Sequence, residues 1–162
     1  MAASPRAFWR DEPLSWSDLE RALSSHGLER LLRSKAVQQA YEAHLERLAG
    51  SWRSAADFVL HSELGYAAEH DRETALLRAV PPLAPPPPVF VLNGFPYHVA
   101  EGIEHHLLWS AAGPLAEEEV VELLEQHRPS STWETLRFVN PPKLQSIKAI
   151  WHTHVLSRRR GV

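Results

Sequence analysis

The sequence predicts an α+β protein, with helices gathered in its first half and a mostly antiparallel sheet in its second. Two patterns carry that prediction. Apolar residues recur at helical spacing up to about Gly65, whereas short apolar runs broken by Gly, Pro and Asn dominate from Val89 onward. Between them stands Pro81-Pro82-Leu83-Ala84-Pro85-Pro86-Pro87-Pro88, whose rings fix φ and remove backbone donors. Too few strand-helix-strand units are visible for a doubly wound sheet.

The elements follow in order. Residues 1–13 read as an irregular lead-in that Phe8 and Trp9 can anchor. Ser15 with Asp18, or Ser17 with Glu20, offers a capping box, and Trp16, Leu19 and Leu23 continue as one helical face to Gly27. From Ser34, Val37, Tyr41, Leu45 and Leu48 form a second stripe, which needs a partner to cover it. A third helix starts at Ser54 with Asp57 in its cap and ends near Gly65. Residues 67–80 fit either a helical turn or a loop.

The proline run is expected to be a stiff extended connector, with recognition by a proline-binding partner as the alternative. Val89-Phe90-Val91-Leu92 then reads as a strand and Asn93-Gly94 as a turn. Phe95 to Val99 is extended around Pro96, and His105 to Trp109 is the next strand. Leu115 to His127 is a helix, with three glutamates near the positive end of its dipole. Trp133 to Val139 and Trp151 to Leu156 complete the sheet. Asn140-Pro141-Pro142 must leave the ladder, because consecutive prolines donate nothing to it. The expected organisation is one domain over 14–156. It comprises a helical cap at 14–66, the connector at 81–88, a sheet-rich core at 89–156 and a basic tail at 157–162.

Composition bounds the function. At 162 residues the chain suits a single domain with a sizeable core. A net charge of -3 gives no general attraction to nucleic acid, and Arg158-Arg159-Arg160 is a local basic run only. The absence of cysteine removes thiol nucleophiles and thiolate ligands. No apolar run is long enough for a membrane helix, and the first residues lack a signal-peptide core. A cytoplasmic protein is expected, with the nucleus as a second location. No Gly-x-Gly-x-x-Gly or phosphate loop occurs, and no cofactor is expected.

The chemistry-bearing residues cluster late. If Ile147 to Leu156 is extended, Ile150, His152, His154 and Leu156 share a face, with the two imidazoles about 6.5 Å apart. The pair is then close enough for both imidazoles, His152 and His154, to touch one ligand. Ser146 and donors near Gln145 can receive phosphate charge, Lys143 can approach an outer phosphate, and Asn93 can bind a sugar hydroxyl. Tyr97 either stacks on a ligand or buries its ring, and Asn140 either caps the turn before Pro141 or touches the ligand. A zinc site is the alternative use of His152 and His154, with His105 or His98 as third ligand and Glu104 or Glu101 polarising a water. His105 is the residue expected to meet the terminal pair across the sheet. His26, His44, His61, His70 and His127 lie among helical, charged segments and need no catalytic role.

Asn93-Gly-Phe-Pro-Tyr97, Gly102-Ile-Glu-His105 with Trp109, Phe138 to Ile147, and His152-Thr-His154-Val155 together resemble the N-acetylglucosamine-induced protein family, a eukaryotic family of unknown function. Leu14-Ser-Trp16, Leu32-Arg-Ser34 and Tyr41 extend the likeness, which spans most of 14–156. The layout also resembles, more remotely, the histidine-triad nucleotide hydrolases and transferases. His152 and His154 match the first two positions of their His-x-His-x-His run, and Leu156 stands at the third. The resemblance implies an antiparallel sheet of histidine-triad type under a helical N-terminal cap. It further implies a pocket for a phosphorylated sugar or nucleotide, a sugar nucleotide above all. The activity expected is nucleotidyl hydrolysis or transfer through His154, or ligand sensing without turnover, with a zinc-dependent hydrolase third. No membrane partner is expected.

Overall fold

A computed structural model describes residues 8–161. Its architecture is α+β, with antiparallel strands throughout both sheets. The helices come first: α1 at Trp16–Ser24, α2 at Lys35–Ser51 and α3 at Ala55–Ser62. Ser15 and Asp18 form the capping box that starts α1, while Ser34 and Ser54 accept the N–H groups that open α2 and α3.

Residues 67–80 are neither helical nor loop. They form a hairpin, β1 at Ala67–His70 and β2 at Leu77–Val80. Its strands are mainly alanines and charged or polar residues, with Val80 the one β-branched member, so propensity gave little sign of it. Tertiary anchoring decides the matter. Asp71 Oδ1 accepts the N–H groups of Glu73 and Thr74 to shape the turn, and buried Asp57 of α3 accepts the Ala79 N–H at 2.9 Å.

The main sheet has the order β3-β4-β6-β5, with β3 at Val89–Leu92, β4 at Ile103–Ser110, β5 at Trp133–Phe138 and β6 at Trp151–Arg159. Helix α4, Glu117–His127, lies between β4 and β5 in the chain. Of the two forms open to residues 95–99, a sheet edge or a bend, the segment takes the bend, with Val99 in an isolated bridge to Leu14. It is stapled from elsewhere: Leu14 N–H donates to His98 O, His98 N–H to Leu32 O, and the Arg33 Nε–H to Phe95 O. The last strand starts at Trp151, so Ile147 to Ile150 is not part of it. It also runs on through residues assigned above to a solvated tail. Ser157 is buried, Arg158 pairs with Glu134 and covers Trp16, and Arg159 lies over Trp133. Phe8 is 70% exposed and anchors nothing, whereas half-buried Trp9 meets Lys35.

Alternation divides the sheet into two faces. On one, Leu108 and Val155 pack with Phe90 against Val120 and Leu124 of α4. The opposite face carries His105, Leu107, Trp109, His152, His154 and Leu156, as the β4/β6 register requires. Helix α1 closes one end of it through Leu19 and Trp16 on Leu156, and α3 closes the other through Val59 on Trp109. Between these two clusters the face is not filled. Helix α2 buries only Leu48, and the rest of its apolar stripe borders open space.

Candidate functional site

That space is a cavity of about 410 Å³, in the range of small-molecule sites. Its floor is the sheet face at Leu107, Trp109, His152 and His154, and its roof is Tyr41, His44, Leu45 and Leu48 of α2 with Phe58 of α3. Two loops close the sides, one through Asn93, Gly94, Phe95 and Tyr97, the other through Asn140, Gln145, Ser146 and Ile147. Of the residues proposed from sequence, Asn93, Tyr97, Asn140, Gln145, Ser146, His152 and His154 all line this one hollow. Lys143 is exposed and does not line it, because the short helical turn Pro142–Leu144 points that side chain to solvent. His105 does not line it either. It is only 2% exposed and lies behind His154.

The hydrogen bonds fix the protons. The Tyr97 backbone N–H donates to His105 Nδ1 at 3.1 Å, so a neutral His105 carries its proton on Nε2. That Nε2–H points at His154 Nδ1, 2.9 Å away, which must accept. His154 therefore holds its own proton on Nε2, 3.2 Å from the Asn140 amide, and that amide also reaches the Tyr97 hydroxyl at 3.1 Å. The amide atom that meets both groups is best assigned as the oxygen, since it then accepts from Nε2–H and from the hydroxyl. Tyr97, His105, His154 and Asn140 thus form a closed relay, with Phe138 stacked on His154 at 4.9 Å between ring centres. Asn140 is a member of this relay, and Gln145 holds its carbonyl at 2.6 Å.

His152 is arranged the other way round. Its Nδ1–H donates to the Ile150 carbonyl at 2.9 Å, because a carbonyl can only accept, and Nε2 is left with a free lone pair. Burial keeps all three imidazoles neutral. It pushes His105 down to about 3, with Arg33 and His106 adding to the effect. Burial also holds His154 well below the usual histidine range, helped by His105, His152 and Arg33, and lowers His152.

The zinc arrangement does not match this geometry. His105 and His154 spend their facing nitrogens on each other, and three imidazoles cannot share a focus when two of them are joined by a proton. Among the described residues no three His, Asp or Glu side chains converge as a metal site. His98 binds the Arg10 carbonyl, and Glu104 pairs with Arg128 on the α4 side of the sheet.

Three residues of the wall were not foreseen as such. Trp109 reads from sequence only as a strand residue and His44 as part of a charged helical segment, yet both border the cavity, where His44 packs on Phe95 and Phe58. Arg33 is the third, and the only local signal for it is its place between the apolar pair Leu31-Leu32 and the helix cap Ser34.

Residues 15–130 match the family described as "Protein of unknown function (DUF3605)". The chain belongs to that family. It is 29% identical over 159 residues to the "Uncharacterized protein YPL067C" of Saccharomyces cerevisiae, covering 87% of this chain and 77% of the yeast protein. The solved structure titled "Crystal Structure of HTC1" resembles it with a TM-score of 0.57 at 24% identity, covering 89% of this chain and 84% of that one. That likeness concerns the fold alone. Among the described residues no helix is long and apolar enough to cross a membrane.

Proposed function

We propose that the cavity binds a small phosphorylated sugar or nucleotide, a sugar nucleotide being the leading candidate, and that the protein acts as a ligand-binding or ligand-sensing protein in the cytoplasm or nucleus. The observation that carries this reading is convergence. Asn93, Tyr97, Asn140, Gln145, Ser146, His152 and His154 come from separate loops and strands, yet they border one hollow. A few polar groups set in an apolar wall are what orients a small ligand and pays for its desolvation. The resemblance to the N-acetylglucosamine-induced proteins supports a sugar, and the remoter histidine-triad likeness of the His-x-His strand supports a nucleotide.

A nucleotidyl reaction is the second reading, and the tautomers favour His152 over His154 for it. Attack needs an imidazole nitrogen with a lone pair, and His154 Nε2 is protonated and turned toward Asn140, whereas His152 Nε2 is not. In such a reaction His152 Nε2 would form a bond to the α-phosphorus as the bond to the leaving oxygen breaks. Water would then cleave the phosphorus–nitrogen bond.

Calorimetric titration of the full chain with uridine diphosphate N-acetylglucosamine, N-acetylglucosamine 1-phosphate and adenosine monophosphate tests the binding reading. Saturable binding of one of them, lost in Ser146→Trp, is expected, and binding of none would remove the reading. For the reaction, release of uridine monophosphate from uridine diphosphate N-acetylglucosamine should vanish in His152→Ala and survive in His154→Gln. The reverse order would return the chemistry to His154.

A further inference from the structure

Arg33 has a setting that the binding reading does not use. It lies in the link between the turn Leu28–Arg30 and α2, half-buried, with its side chain in the cavity wall. Its Nε–H donates to the Phe95 carbonyl at 2.8 Å, and its guanidinium carbon sits 4.1 Å from the centre of the Tyr41 ring. These contacts hold the plane of the group and use one of its five N–H donors. No carboxylate of the described residues pairs with it. Other half-buried arginines are treated differently, for Arg128 holds Glu104 and Arg158 holds Glu134.

A guanidinium withdrawn from water without a counter-charge is costly. The buried histidines nearby are neutral and would be repelled by it if charged, and the two carboxylates that also border the cavity, Glu29 and Glu63, do not pair with it. The same cavity carries Leu45 and Phe58 in its roof and Trp109 in its floor. The hollow therefore combines one cation of fixed orientation with apolar and aromatic surface.

We propose that Arg33 is the anion-binding residue of this cavity, and that its ligand is a small organic anion. Its carboxylate or phosphate lies on the free edge of the guanidinium, and its apolar or aromatic body rests against Leu45, Phe58 and Trp109. The inference rests on the cavity being a ligand site, but not on that ligand being a sugar or a nucleotide. Charge-assisted pairing of a planar fork with an oxyanion sets the expected preference for charged over neutral ligands at roughly 10- to 100-fold.

The test compares matched ligands by calorimetry on the full chain: benzoate against benzyl alcohol, phenyl phosphate against phenol, and adenosine monophosphate against adenosine. In the wild type at least one anion of the set should bind that much more tightly than its neutral partner. Arg33→Gln should erase the difference between each anion and its neutral partner, and Arg33→Lys should restore part of it. Whether benzoate or phenyl phosphate is preferred identifies the anion as carboxylate or phosphate. The wild-type comparison stands even if Arg33→Gln does not fold. Equal affinity for charged and neutral partners, an undiminished preference in a folded Arg33→Gln, or no binding of any anion would overturn the inference. Binding of benzoate or phenyl phosphate through Arg33, with all sugar phosphates and nucleotides rejected, would instead overturn the sugar or nucleotide reading and keep this one.

Discussion

His105 and His106 are neighbours in one strand and point to opposite sides of one sheet. Both are buried, and both keep depressed basicity, chiefly from burial. On the α4 side His106 stacks on Phe90 with ring centres 4.5 Å apart, Phe90 stacks on His127, and Arg128 lies over Trp133 while it donates to His106 Nε2 at 3.2 Å. Every ring there has a ring or cation against it, and Val120 and Leu124 complete the cover. On the other side His105 belongs to a relay that ends at a hollow, because α2 spans the face without filling it. The same side-chain chemistry is packing on one face and a candidate site on the other. How fully the covering helix fills the face makes that difference.

Substitution of one leucine on each side of the sheet tests this contrast most severely. Leu108→Ala, under α4, should cost about 2–5 kcal/mol in urea unfolding because a fully packed leucine leaves a void. Leu45→Ala, which already borders open space, should cost less than about 1 kcal/mol. Equal losses would mean that the two faces are packed alike.

Acid provides the next largest effect. The pKa of His105 is about 3 in the folded chain, and His154 is also held well down, while unfolded histidine titrates near its ordinary 6.5. Between those values the unfolded chain binds more protons, so stability is fully present above about pH 6.5 and falls as the pH drops toward the folded values. At pH 5 the loss from His105 is about 2 kcal/mol, and His154 adds to it in the same direction. Unfolding midpoints measured from pH 7 to 5 should show this slope, and His105→Gln should flatten it more than His106→Gln. A steeper response to the His106 change would reverse the assignment of the buried relay.

Within the relay, Tyr97→Phe removes the hydroxyl that meets Asn140 and leaves the ring stacked on His105. A loss of about 0.5–1.5 kcal/mol is expected. No change in the unfolding midpoint would show that the hydroxyl bond adds nothing to the relay.

Much of the molecule was legible locally. Ser15, Ser34 and Ser54 announced their helices, and alternation placed His152 and His154 on one face because a strand turns its side chains by halves. The hairpin at 67–80 was not legible, since its strands are held by Asp57 and not by their own residues. Asn140 read equally well as a turn cap, and Lys143 as a phosphate contact, because neighbouring residues say nothing about which side of a loop faces a distant helix.

The order of elements, the two-faced sheet and the pairing of imidazoles along β6 follow from the sequence, because capping, proline geometry and side-chain alternation act within a few residues. Tertiary structure alone decided that residues 33, 44, 93–95, 97, 140 and 144–147 meet over those imidazoles, and which of their nitrogens carry protons. The Tyr97 N–H that sets the His105 tautomer and the helix that roofs the hollow reach the site from distant parts of the chain, and only folding brings them there.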